Sequence, residues 1–501
     1  MKLRQTKKLT ALLLSLLLLA SSFAGCSEKG NGDPADAPSA PTAAENPTAE
    51  AEEAPETDAK LSCTVPEDLK LDGRSVRFLH FADQQTFNIN VEEMTGELLN
   101  DAVFSSNQKV MEDLACIFEH YENGGIEPTK LTTSFKAGDD IYEIVYGTQW
   151  KVAPIVSQHI FANLNEKEDN YIDYEKPWWY KNYIHETMAD NDHTYFLAGD
   201  ASPDVFRRSS MMILNTDLLA DIGRDVNDIY ETILNGDWTF DKLSEIVAGV
   251  YIDGNGNGKH DVGDTFGFAS WTRSDVDHFM IDCGVRGCSR DEEGVPSITF
   301  NNDTTVKFVE TLVDFLWNNE GSYYVEGIPT FEMMENNQVL FLCEKFSRLD
   351  MIRDMQTDFT IVPVPKLDST IENYGSATHD DAVILCIPVI SANVKSSTAV
   401  LEKMGYYYYD DVMPNYFDVI LKNKYRRDSS DAASQVIDLI HDSLTTDFAY
   451  IYNYGMSNMM LSLRDLIGVA KSTDFASSYK KSEKMYNKVF AKLLDSIREG
   501  E

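Results

Sequence analysis

The chain has 501 residues, 82 of them acidic against 43 basic, for a formal net charge of −39, and it is 43% hydrophobic and 11% aromatic. Such an acid excess argues against nucleic acid, which demands a basic face, and against adhesion to anionic lipid by charge alone. The apolar fraction is ample for a large core or for two lobes.

Lys2, Arg4, Lys7 and Lys8 precede an apolar run over residues 9–20 that is too short to span a bilayer comfortably. The run ends in Phe23-Ala-Gly-Cys26, small residues directly before a cysteine, which resembles a bacterial lipobox with Phe23 where Leu is usual. Residues 1–25 are therefore expected to be a lipoprotein signal peptide. Cleavage before Cys26 and diacylglycerol on its sulfur would hold the protein on the outer face of the cell membrane without a transmembrane helix. Residues 26–60 are Ala, Pro, Glu, Thr and Asp with almost no large apolar residue, and are expected to be a disordered acidic tether. Of the remaining cysteines, Cys283 and Cys288 are near enough in sequence to close a small disulfide loop. Cys116, Cys343 and Cys386 lie in apolar contexts and read as small buried hydrophobes, and no pair has zinc spacing.

The first strand is expected at residues 75–81, followed by a loop carrying Asp83 and Gln84, and then by a helix over 98–114 with Asn107 on its polar side. A second strand at 141–146 leads to Gln149 and Trp150. Strands alternating with helices indicate βαβ units and a mostly parallel sheet, whose ligands bind outside the carboxyl ends of the strands. That rule selects Asp83, Gln84, Gln149 and Trp150. Residues 194–202 look strand-like, 207–215 read as a strand entering a helix, and a helix is expected from 238. Further strands are expected at 265–271, 338–343 and 382–387, with a helix over 302–317 and mainly helix beyond 397. Trp238, Trp317 and the tyrosine run 406–409 read as core.

One stretch carries chemistry at fixed spacing. Asp253, Asn255, Asn257, Lys259, Asp261 and Asp264 stand at positions 1, 3, 5, 7, 9 and 12 of an EF-hand-type loop, with Gly258 at position 6. Hard oxygen donors at that spacing suit Ca2+, with Lys259 supplying only its carbonyl. The flanking helix and strand make this a helix–loop–strand and not an EF-hand pair. Asp264 reaches less far than the usual Glu. Gly-Asn-Gly-Lys within the loop has the wrong glycine spacing for a phosphate loop, and His260 stands where Ser or Thr would bind magnesium.

The order of these segments resembles the extracellular solute-binding proteins of ABC importers, in the maltose-binding-protein-like branch common among clostridial lipoproteins. The residues that carry the resemblance are the lipobox, Trp178 and Trp179 in Pro177-Trp-Trp-Tyr180, Phe196-Leu-Ala-Gly-Asp200 and Met211-Met-Ile-Leu-Asn215. Gly236-Asp-Trp238, the cation loop running into Thr265-Phe-Gly-Phe268, Phe359-Thr-Ile-Val-Pro363 and Tyr425-Arg-Arg-Asp428 extend it. It implies an α/β, two-lobed periplasmic-binding-protein-like fold of type II with hinge-linked lobes. Lobe one would be 61–204 plus 361–410, and lobe two 205–360 plus 411–501, with crossings near 201–211 and 359–365. It implies a monomer and no catalysis. A solute, most simply an oligosaccharide, is captured by closure and delivered to a membrane permease. Segment matching places Asp83, Gln84, Gln149 and Trp150 against ligand, Arg208 and Ser209 on the inter-lobe crossing, and Trp271 and Arg273 on the second lobe's facing loop. Trp178 and Trp179 would pack beneath the cleft. A surface glycan-binding or sensory lipoprotein without a transporter shares every one of these features. A glycan-active hydrolase is less well supported: pairs such as Asp380/Asp381 mean little in so acidic a chain, and there is no Gly-x-Ser-x-Gly elbow.

Overall fold

A computed structural model describes residues 62–81, 86–125, 127–165, 170–271, 274–352, 354–422 and 430–498, all within one compact unit, Thr57–Glu501. The expectations for residues 1–60, Cys26 among them, lie outside the described residues. So do those for Asp83, Gln84 and Arg273.

The strands in chain order are β1 Ser75–Phe81, β2 Ile117–Glu122, β3 Ile144–Thr148, β4 Ser210–Asn215, β5 Phe266–Ser270, β6 Cys288–Arg290, β7 Pro296–Ile298, β8 Ser322–Tyr324, β9 Val339–Lys345, β10 Phe359–Val362, β11 Ser376–Ala377, β12 Val383–Cys386 and β13 Leu444–Thr445. They form two principal sheets, β12-β3-β1-β2 and β10-β4-β9-β5-β8. In the first, β1 pairs in parallel with β2 and β3, and β12 runs antiparallel to β3. In the second, β5 is parallel to β8 and β9, while β4 runs antiparallel to both β9 and β10. Strands β3, β4, β5, β10 and β12 are buried at every residue, as sheets covered on both faces require.

Local sequence explains the element ends. The helix Leu98–Leu114 starts where the Glu97 carboxylate accepts from Asn100 N, and it stops at Ala115 in the left-handed region. Asp303–Trp317 starts on Asn302, whose side chain accepts from Thr305 N. Gly199 is demanded by contact: a Cβ there would stand 2.2 Å from the Trp178 carbonyl oxygen. Trp178 is wholly buried, and Trp179 donates Nε1–H to Glu402 at 2.7 Å, so the pair does pack inside the first half.

Several expectations need correction. Asn107 is buried, not on a polar face; its Nδ2 donates to the Ile89 carbonyl at 2.9 Å and its Oδ1 accepts from Tyr408 OH at 2.9 Å. Residues 194–202 make only isolated bridges to Trp179 and Leu385. Arg207 ends a short helix, Asp204–Arg207, and β4 begins only at Ser210. Cys283 and Cys288 are both free thiols; Cys283 lies against the Pro365 carbonyl and Cys288 opens β6. Trp317 is only partly buried.

Among the described residues the chain passes between the two halves at three places. Ser209 bridges Thr378 antiparallel, and β11 pairs in parallel with β13, so residues 208–210, 376–379 and 444–446 run side by side. The second crossing therefore follows β11 and is not at 359–365, because Phe359–Val362 is the edge strand of the second sheet. The C-terminal helices do not all belong to the second half either. Met413–Lys422 packs on Leu98–Leu114, while Asp431–Asp442 packs on Val226–Leu234 and β10.

Candidate functional site

Both sheets direct carboxyl ends at the second crossing. Beyond β3, Trp150 N donates to the Asp380 carbonyl at 3.0 Å and Gln149 N to the Ala382 carbonyl at 2.8 Å. At the end of β9, Lys345 Nζ donates to Asp381 Oδ2 at 2.8 Å. Beyond β5, Ser270 Oγ donates to Asp275 Oδ2 at 2.6 Å, where the helix Asp275–Asp282 starts. The adjacent residues Asp380 and Asp381 thus touch one half each.

Around them lies a buried polar cluster in which each cation has a carboxylate. Arg208, fully buried, donates Nη1–H to Asp381 Oδ2 at 2.8 Å. His379 Nδ1 lies 2.9 Å from Asp381 Oδ1 and 3.1 Å from Asp380 Oδ1. Arg464 Nε donates to Asp277 Oδ1 at 2.8 Å, and Tyr450 OH to Asp277 Oδ2 at 3.1 Å. The His278 and His379 rings stand 5.4 Å apart. Burial opposes the charge on Asp381, but His379, Lys345 and Arg208 overcome it and hold the carboxyl well below its usual range. Burial raises Asp380, with His379 opposing and Asp277 adding to the rise. His278 is driven well below ordinary imidazole values by burial and by the neighbouring His379 and Lys345.

The wall of this region is aromatic. The Trp150 and Tyr454 rings stand 5.6 Å apart, and Lys151 Nζ lies 3.9 Å over the Trp150 ring. On the other side, the Arg348 guanidinium lies 5.4 Å over Trp271, itself half-buried.

The expected ligand residues divide accordingly. Trp150 sits beside the crossing and Trp271 at the end of the second sheet, both partly accessible. Gln149 is fully buried; its Oε1 accepts from Tyr183 OH and its Nε2 has no partner. Arg208 is committed to Asp381 and is a strut of the crossing. Ser209 is buried in the same crossing with no partner for its hydroxyl. Sequence reasoning missed Tyr454, Arg464, Lys345 and Asp277 and set aside Asp380/Asp381. The one signal available was the position of Asp380 and Asp381 directly before an apolar strand.

In the acidic loop, Asp253 accepts from Asn257 N at 3.2 Å and Gly258 N at 2.9 Å, and Gly258 takes a φ of +68°. Asp261 gathers Asn255 Nδ2 at 2.8 Å and Asn257 Nδ2 at 2.7 Å. Buried Asp264 accepts from Gly254 N at 3.1 Å. Among the described residues there is no group of three or more His, Cys, Asp or Glu side chains set to hold a metal. Any ion here would depend on the asparagine oxygens and the Lys259 carbonyl.

No protein-family model matches the chain, and no curated protein matches it. Solved structures do. An ABC substrate-binding protein from Listeria monocytogenes in complex with cycloalternan superposes with a TM-score of 0.52 at 14% identity, covering 84% of this chain and 100% of that one. An ABC transporter solute-binding protein from Thermotoga lettingae TMO bound with alpha-D-tagatose gives 0.51 at 13% identity, over 83% of this chain and 99% of the other. UgpB from Mycobacterium tuberculosis, in complex with glycerophosphocholine, gives 0.52 at 10% identity, over 83% and 98%. Identities this low establish the fold alone. The chain has the two-lobed, periplasmic-binding-protein-like α/β fold of ABC solute-binding proteins.

Proposed function

We propose that this chain is the solute-binding component of an ABC importer. It is held on the outer face of the cell membrane by lipidated Cys26, and it captures a neutral oligosaccharide by closure of its two lobes for delivery to a permease. The observation that carries the reading is the meeting of both sheets at residues 380 and 381, beside Trp150. A rotation about the three crossings would move the Trp271 side toward the Trp150 side while the buried ion pairs hold the axis. The ligand class follows from charge. Among the described residues of the cluster, Arg208, Lys345 and Arg464 are each paired with a carboxylate. An anionic ligand would have to break one of those pairs, whereas a sugar needs only an aromatic surface and hydrogen-bonding groups. Two of the three structural neighbours hold carbohydrate, which agrees. A thermal-shift screen over neutral oligosaccharides should yield a ligand that is recovered chemically unchanged; turnover of that ligand would instead support a glycan hydrolase.

We also propose that residues 253–264 bind Ca2+ as a structural brace for the turn into β5, away from the ligand. The alternating donors support it, together with a loop already wound around the Asp253 carboxylate; rotating the two asparagine amides would turn their oxygens inward. Calcium should raise the melting temperature, and Asp253→Ala should abolish the rise. Equal melting in calcium and in chelator contradicts the brace.

A further inference from the structure

The long C-terminal helix Phe475–Arg498 buries Phe475, Tyr479, Tyr486, Leu493, Leu494 and Ile497. Its N-terminal end packs Phe475 edge-on against Phe300 with ring centroids 5.2 Å apart, and its far end donates from Arg498 Nε to Asp190 Oδ2 at 2.7 Å. The helix is therefore held at both ends, and its outer face is fixed with it.

That outer face is anomalous for this chain. Lys480, Lys481, Lys484, Lys488 and Lys492 are all exposed. At 3.6 residues per turn they fall within about 120° of the circumference and along roughly 18 Å of its length. Several lysines elsewhere find carboxylates, as in Lys307–Asp368, Lys345–Asp381 and Lys403–Asp113. Here Lys480 pairs with Glu483 at 3.1 Å, and among the described residues the other four form no salt bridge. Like charges four residues apart repel, so the stripe weakens the helix that carries it. In a chain with nearly twice as many acids as bases, the clustering calls for a partner outside the molecule.

We propose that this lysine face rests on the anionic headgroups of a lipid bilayer. The stripe is straight, cationic and poor in apolar side chains apart from exposed Met485, so it lacks the buried aromatic anchors of a protein interface. It suits a surface of diffuse negative charge, where each lysine contributes independently. The acidity of the rest of the chain does not cancel it, because at physiological ionic strength charges beyond about 8 Å are largely screened. Docking would set the orientation of the two lobes relative to the membrane.

The test uses residues 26–501 carrying Cys26→Ser, so that neither the basic, apolar signal peptide nor a lipid anchor contributes, in co-sedimentation with vesicles of phosphatidylcholine alone or mixed with phosphatidylglycerol. The protein should bind the mixed vesicles and not the neutral ones, and lose binding as salt is raised. The combined variant Lys481→Gln, Lys484→Gln, Lys488→Gln, Lys492→Gln should weaken binding by at least about tenfold with a melting temperature that does not fall, since the like-charge repulsion along the helix is relieved. Equal binding to both vesicles, no binding to either, or unaltered binding by the folded variant overturns the proposal. Capture by soluble polyglutamate in place of vesicles also overturns it, and assigns the face to an acidic protein.

Discussion

The acidic loop at 253–264 and the acidic cluster at 277, 380 and 381 use the same side chain in opposite ways. In the loop, the carboxylates of exposed Asp253 and half-buried Asp261 are held by backbone N–H groups and amides no more than six residues away. In the cluster, buried Asp277 and largely buried Asp381 are held by cations 187, 173 and 36 positions distant, from Arg464, Arg208 and Lys345. The loop satisfies its carboxylates with neutral donors close by in the chain, whereas the cluster answers its carboxylates with cations from distant segments. Charge density in the sequence does not separate these uses, but the distance of the partner along the chain does.

The most damaging way to break that contrast is Arg208→Met. It leaves Asp381 with one cation fewer in a buried crossing, and should cost about 3 kcal/mol in urea unfolding, whereas Asp253→Ala without calcium should cost far less. Next comes acid. His278 is neutral when folded but takes a proton near its ordinary pKa when unfolded. Its folded value is depressed, so its contribution is present above about pH 6.5 and is lost as the pH falls below it, because the unfolded state then binds more protons. His80, lowered to about 3, and His120, lowered to about 4, act with the same sign. Stability should fall between pH 7 and pH 5 by on the order of 2 kcal/mol per imidazole, and His80→Phe should flatten the slope. Trp150→Ala should weaken ligand binding about tenfold, the worth of one stacked ring, with little change in melting temperature. The smallest effect sharpens the contrast from the loop's side. Hydrogen bonds from Asn257 and Gly263 hold Asp261 below the usual carboxylate range, so a calcium-dependent rise in melting should survive at pH 5 even as overall stability drops.

Elements whose signal is local were legible in the sequence. The strand 75–81 and the helix 98–114 fall where periodicity puts them, and β5 follows the loop as expected. Asn107 was misplaced because a polar residue on a helix reads as solvent-facing until Ile89 and Tyr408 are seen to satisfy it. The second crossing was misplaced because the apolar run at 359–362 is the same whether it bridges lobes or edges a sheet, and only its pairing with β4 decides. Of the candidate residues, Trp150 came from the rule about carboxyl ends of strands and Trp271 only from the resemblance of segments. Arg464 and Tyr454 came from neither, since they arrive from the third crossing, more than 300 residues beyond Trp150.

Closure of two lobes on an unaltered solute is the central claim, and small-angle X-ray scattering on the whole chain tests it most directly. With a saturating neutral oligosaccharide, the radius of gyration should fall and the sugar should be recovered intact. Binding with no change in radius, or conversion of the sugar during the measurement, would contradict it.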